Sequence, residues 1–270
     1  MQIKYPRVPT SVWLVLCATV VAGWAAVRWS RETEAETGCA NNLRMIALAL
    51  QQYASAYDDT FPRGTIPSNS LPPERRLSWL VTLSHFLDQW AWMFDESRSW
   101  DDDVNRVTRG HGVGEPVEVV GQVWLLTCPM ADKPEAKPMP GLTSYVGVTG
   151  LGRNSAWLPA GDPRVGVFGY DRQTRIAGIK DGLATTTAVV ETSERGPWTA
   201  GGTSTLRGLD PERKPYLGRG RQFGGNHRGG AMVLFADGSV RMIRESIDSN
   251  VFEALSTIAR GEELPAGWGG

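Results

Sequence analysis

Cysteine and histidine are scarce in this 270-residue chain, with three of each. No Cys-x-x-Cys pair and no Cys/His cluster occurs along it, so spacing alone gives no zinc site, and neither a metal nor a cofactor is expected. A Gly-x-Ser-x-Gly elbow, a His-Glu-x-x-His helix and a phosphate-binding loop are also missing. Without them no nucleophile or metal is supplied to work with His227, Glu191 and Asp181, the groups a hydrolase here would have to bring together. No enzyme is expected. Charge of one sign is lacking too: 28 basic residues stand against 29 acidic ones, for a net charge of -1. With no basic stripe, nucleic acid is not expected as a partner. No internal repeat shows.

Glycine (31), proline (17) and tryptophan (11) are plentiful, which describes a loop-rich chain rather than a helical bundle. The tryptophans are scattered and read first as core anchors. One long apolar run exists, Val12 to Val27, without a charge. Extended to Val8 and Trp29 it reaches a bilayer-spanning length. Lys4 and Arg7 precede it, while Glu32, Glu34 and Glu36 follow closely on Arg28 and Arg31, so the charge rule favours a cytoplasmic N-terminus and an exported body. An uncleaved anchor is the favoured reading; a cleaved signal peptide, with Gly23 and Ala25 as small residues, is the other. Cys17 lies inside the run as a small hydrophobe. Cys39 and Cys128 remain as an even pair on the exported side, where a disulfide is expected, with two separate buried thiols as the alternative.

Residues 41–62 carry Leu43, Ile46, Ala47, Leu50, Tyr53, Ala54 and Tyr57 at helical spacing, with Pro62 as a stop. The preceding segment holds good helix formers, so one helix is expected to run from the membrane into the exported domain, with Gly38 its weakest point. A second helix is expected over 76–94, from Leu77, Leu80, Val81, Leu83, Phe86, Leu87 and Trp90. Asp101, Asp103 and Asn105 open like a calcium loop, but Arg106 and Gly112 occupy the positions that need glycine and glutamate, so a solvated turn is the reading. Strand signals follow at 122–129, 143–150, 166–170 and 185–192. The chain closes on a short helix capped by Asp248 or Ser249. Helices first and strands after them make an α+β fold with a mainly antiparallel sheet.

The stretch 226–243, NHRGGAMVLFADGSVRMI, reads as a hairpin about a two-residue Asp237-Gly238 turn, with Phe235 facing Val240 and Val233 facing Met242. That register separates His227 from Asp237 by most of a strand and brings His227 towards Glu245 to Asp248.

His227, nine intervening residues and Asp237-Gly238 resemble the C-terminal signature of bacterial pseudopilin-like proteins of unknown function, the H-X9-DG family. Further blocks are similar: CANNLRMIALALQQYASAYDDTFPRG (39–64), RLSWLVTLSHFLDQ (76–89), SYVGVTG (144–150) and RGPWTAGG (195–202). The resemblance spans about residues 37–262 and implies a long N-terminal membrane and amphipathic helix before a pilin-like sheet domain. Residues 1–12 hold no glycine and no acidic residue, where a prepilin-type signal carries a small residue and a glutamate. The expected organisation is an anchor and juxtamembrane segment (1–36), the domain (37–262) and a tail (263–270). The expected function is a single-pass, membrane-anchored, exported structural or assembly protein of a bacterial membrane. Its partners would be the membrane, through 12–27, and other pilin-like subunits. The alternative is an extracytoplasmic binding module for glycan, peptide or cation, with His227, Trp198 and Asp237 as candidate binding residues.

Overall fold

The computed structural model describes residues 10–87, 94–106, 123–131 and 141–268, apart from the side chains of 10–16, 18, 22 and 25. Helix α1, Thr10–Ala56, is 47 residues long and runs unbroken through Gly38, about 70 Å at 1.5 Å per residue. Its two halves differ. From Ala35 onwards an inward stripe is buried: Cys39, Leu43, Ile46, Leu50 and Tyr53. Before it, Val20, Val21, Trp24, Val27 and Trp29 are exposed. Among the described residues no helix is long and apolar enough to cross a membrane; the apolar run 12–27 falls in part on side chains outside that description. The helix stops well before Pro62, where Asp58 and Asp59 both turn to φ 52.

The predicted α+β class is present. Strands β1 (Leu142–Leu151), β2 (Thr187–Pro197), β3 (Leu206–Leu209), β4 (Gly230–Phe235) and β5 (Val240–Arg244) form one sheet in the order β3-β1-β2-β4-β5. Only the β1/β3 pairing is parallel. Helix α1 packs on one face, where Leu43, Ile46 and Leu50 join Tyr145, Val189, Met232 and Leu234 in a core. Across the sheet, Val146, Val190, Val233, Phe235 and Ile243 form a second core with Phe252 and Leu255 of the C-terminal helix. That helix, Ser249–Ala254, is capped as expected: the Asp248 carboxylate accepts from the amides of Asn250 and Val251. Residues of the predicted tail join this core, since Leu264 and Trp268 pack against it.

Several expectations are corrected. The second helix, α2, covers only Trp79–Ser84, with Ser78 accepting from the Leu80 amide as its cap; residues 88–93 lie outside the described segments. In the 122–129 stretch the described residues, from Val123 on, form no strand but a 3-10 turn over Trp124–Leu126. The 166–170 stretch is loop, tied to β1 by a bridge between Gly150 and Val165. Strand β3 lies within 195–225, a Gly- and Pro-rich stretch that reads as a long connection between strands. The turn read at Asp101 is present as far as it is described, to Arg106: the Asn105 side chain is buried, accepting from the Asp95 amide and donating to the Ser99 carbonyl; the rest of the stretch to Gly112 lies outside the described residues.

The hairpin is real but its register is shifted by one residue. Val233 pairs with Arg241 and Leu234 with Val240, so the loop holds three residues, Ala236, Asp237 and Gly238. The Gly238 amide donates to Phe235 O at 3.0 Å and Gly238 sits at φ 89, the three-residue loop with a bulge glycine. A one-residue slip exchanges the faces of a strand. Val240 and Met242 accordingly join the α1 face, while Arg241 crosses to the other and lies over the rings of Phe235 and Trp268.

Candidate functional site

Four side chains from distant parts of the chain meet beneath α1. Cys39 comes from the middle of the helix, Cys128 from the loop after the 3-10 turn, Glu191 from β2, and His227 from the segment leading into β4. One ligand-type atom from each lies within 4.8 Å of all the others, and all four residues are buried. The local sequence explains each placement. Cys39 belongs to the inward stripe that Leu43, Ile46 and Leu50 continue. Gly38 lets the Cys128 loop come close, since a Cβ there would stand 2.9 Å from Pro129 Cγ. Glu191 pairs with Tyr145 across β1 and β2, which brings their side chains to the same face. The regular β2/β4 pairs end at Val190 and Val233, and the Met232 amide donates to Glu191 Oε2 instead.

The polar contacts are specific. His227 Nε2 lies 3.3 Å from Cys128 Sγ and 3.5 Å from Glu191 Oε1. Cys39 Sγ is 3.1 Å from the Tyr145 hydroxyl, which in turn accepts from Asn42 Nδ2 at 3.3 Å. Asn42 also donates to Thr127 O, holding the Cys128 loop to the helix. Among the described residues Glu191 Oε1 and His227 Nδ1 have no hydrogen-bond partner. Electrostatics separates the two thiols. Cys39 is held below the usual thiol range, chiefly because Cys128 donates to its thiolate, while Cys128 is pushed up by that same contact and by burial. Burial also pushes Tyr145 up. Burial pulls His227 down, but the Cys39 contact and the Glu191 charge outweigh it, leaving the imidazole raised.

This site revises the sequence reading residue by residue. Cys39 and Cys128 do come together, but as free thiols rather than the expected disulfide. His227 does meet a carboxylate, yet from β2 and not from Glu245 to Asp248. Of the three groups weighed for a hydrolase, Glu191 converges on His227, whereas Asp181 serves elsewhere, accepting from the amides of Arg260 and Gly261. A thiol, an imidazole and a carboxylate are the types of a nucleophilic set; here the His227 and Glu191 side chains are both 0% exposed. Asp237 stands apart at the far end of β4, its Oδ1 accepting from the Ser239 amide and hydroxyl. It is not in the left-handed region; Gly238 alone of that pair takes positive φ. Trp198 is buried against Phe94, edge to face, so it offers no ring to a ligand. Among the described tryptophans of the sheet domain, Trp124 and Trp157 are exposed, as Trp24 and Trp29 are on α1. Spacing along the chain gave no such cluster because its four members come from four separate segments, joined by the β2/β4 pairing and by the packing of α1 and the Cys128 loop on the sheet.

A second feature is a cleft of 510 Å³ between β3 and the 149–156 segment. Its cations are already committed, with Arg153 on Asp210 and Glu212, and Arg207 and Arg213 on Glu194.

No curated protein and no solved structure matches the chain. A family model does, over residues 31–205 and 196–250, which takes in every member of the buried cluster and the Asp237-Gly238 turn. The chain therefore belongs to the family described as protein of unknown function (DUF1559).

Proposed function

We propose that this chain is a single-pass, exported, pilin-like assembly protein of a bacterial membrane, whose sheet domain is carried on α1 and whose helix packs in the bilayer with others of its kind. The observation that carries the reading is the contrast along α1. Among the described side chains up to Glu34 none is fully buried and Glu32 meets the domain, at Arg228, yet the helix displays Val20, Val21, Trp24 and Val27 at spacings of one helical face. An exposed apolar stripe of that length is costly in water and favourable in lipid or against another helix. The charge difference across the run supports a cytoplasmic N-terminus. The binding-module alternative is weakened by the burial of Trp198, its motivating ring.

Alkaline extraction of membranes from cells making the full chain tests the anchor. The chain is expected to stay with the lipid pellet and to be released by detergent, and Val20→Asp with Val21→Asp should shift it to the supernatant, at about 2.5–3.5 kcal/mol per charge near a bilayer centre. Release of the unaltered chain by alkali alone would refute the anchor.

A further inference from the structure

We propose that Cys39, Cys128, Glu191 and His227 form a closed, tetrahedral site for one divalent cation of the zinc class, which clips α1 to the sheet. The donor set is two sulfurs, an imidazole nitrogen and a carboxylate oxygen, the types zinc takes in fours in structural sites. Hard cations prefer all-oxygen sets, and the carboxylate and imidazole beside two thiolates suit a borderline ion. The spacing also agrees. Bonds of about 2.3 Å to sulfur and about 2.0–2.2 Å to nitrogen and oxygen give tetrahedral edges of roughly 3.4–3.8 Å. His227 Nε2 stands 3.3 Å from Cys128 Sγ and 3.5 Å from Glu191 Oε1, at or close to that range; the other ligand atoms lie within 4.8 Å of one another, so the widest pair closes by up to about 1 Å as the cation enters.

The second, independent observation is the state of Glu191. Its Oε2 is fixed by the Met232 amide, which turns Oε1 into the cluster, fully buried and without a hydrogen bond. A buried acceptor left bare costs about 1–3 kcal/mol, more when charged. His227 Nε2 lies 3.5 Å from Oε1, an ion-pair distance when the imidazole is charged, but makes no hydrogen bond to it. A cation at the centre meets Oε1, Nε2 and both sulfurs at once. His227 Nδ1 is bare with or without it, so Glu191 is the group that discriminates. The outer contacts fit a ligand shell held in place: Asn42 orients the Tyr145 hydroxyl, and that hydroxyl reaches Cys39 Sγ. Binding requires both thiolates, so the Cys39 and Cys128 protons leave to solvent as the cation enters, joined by the His227 proton where the imidazole starts charged.

Cobalt(II) is the probe, added to the full chain after purification in mild detergent and removal of metals by a chelator. The expected result is one equivalent bound, with the intense visible bands of a tetrahedral site and a thiolate-to-cobalt charge-transfer band, all displaced by zinc. Cys128→Ser should halve the charge-transfer intensity, and Glu191→Gln, nearly the same in shape, should weaken cobalt binding roughly tenfold or more. The unaltered chain alone is decisive if either variant fails to fold. No cobalt absorbance with both thiols free, or a Cys39–Cys128 disulfide found by non-reducing peptide mapping, would overturn the site. Neither result bears on the membrane anchor, which extraction tests separately.

Discussion

At the scale of single residues, Asp237 and Gly238 divide one task between backbone and side chain. Gly238 supplies the positive φ that closes the three-residue loop, and its Cα faces α1, where an added Cβ would stand 2.7 Å from Gln51 Nε2. Asp237 supplies an acceptor to the Ser239 amide and hydroxyl. Asp237→Asn keeps that acceptor and should cost less than about 1 kcal/mol. Gly238→Val forces a β-branched residue into the left-handed region against a neighbour and should cost about 2–3 kcal/mol or more. Thermal melts of the two variants check the ranking; equal losses would mean that the carboxylate has a role beyond the turn. The turn dipeptide was legible in the sequence. Its loop length was not, because Ala236 carries no turn signal and a bulge glycine looks the same as the second residue of a two-residue turn. His227 was legible as a histidine at the end of the hairpin bonding a carboxylate or a carbonyl, and it meets a carboxylate. Which carboxylate it meets was not, because Glu191 reaches it through the β2/β4 pairing and the nearby Glu245 does not.

At the scale of elements, α1 is the part that periodicity described best. Inward residues at helical spacing, continued back through a proline-free segment, become one helix. Gly38, expected as its weak point, has instead a packing role. On helix propensity alone Gly38→Ala would gain about 1 kcal/mol. Here the new methyl meets the ring of Pro129, which cannot swing aside as a flexible chain would, and displaces the loop that carries Cys128. We expect overpacking to win, with a net loss of about 1–2 kcal/mol and faster reaction of Cys128 with a thiol reagent. Gly23→Ala is the control, because nothing lies within 4 Å of its added Cβ; it should leave the melting temperature unchanged or raise it. A rise for both variants would remove the packing role of Gly38. The short elements were harder to read. Six residues of α2 are held by the Ser78 cap and by burial of Trp79 and Leu80, whereas the apolar pattern that suggested a longer helix continues into the chain beyond it. Strand β3 shows no alternation of its own, since Leu206, Gly208 and Leu209 are all buried beside β1. Tertiary packing, not propensity, decides such segments.

At the scale of the molecule, the chain is a sheet with a long helix on one face and a short helix on the other, and the buried cluster sits where the first helix meets the sheet. The order of elements gave the fold class. The meeting of Cys39, Cys128, Glu191 and His227 follows from the β2/β4 pairing and from the packing of α1 and the Cys128 loop on the sheet, and could not be read from spacing. The central functional claim concerns the part of α1 that leaves the domain, and the native chain carries its own reporter there. Cys17 is an exposed free thiol on that half of the helix, while Cys39 and Cys128 are buried. The most direct measurement treats intact membranes holding the full chain with a membrane-impermeant maleimide and weighs the chain afterwards. If α1 is the anchor, lipid shields Cys17 and packing shields the other two, so the folded chain gains no label and the denatured chain gains one on each cysteine. A folded chain labelled at Cys17 in intact membranes would place that helix in water and contradict the account.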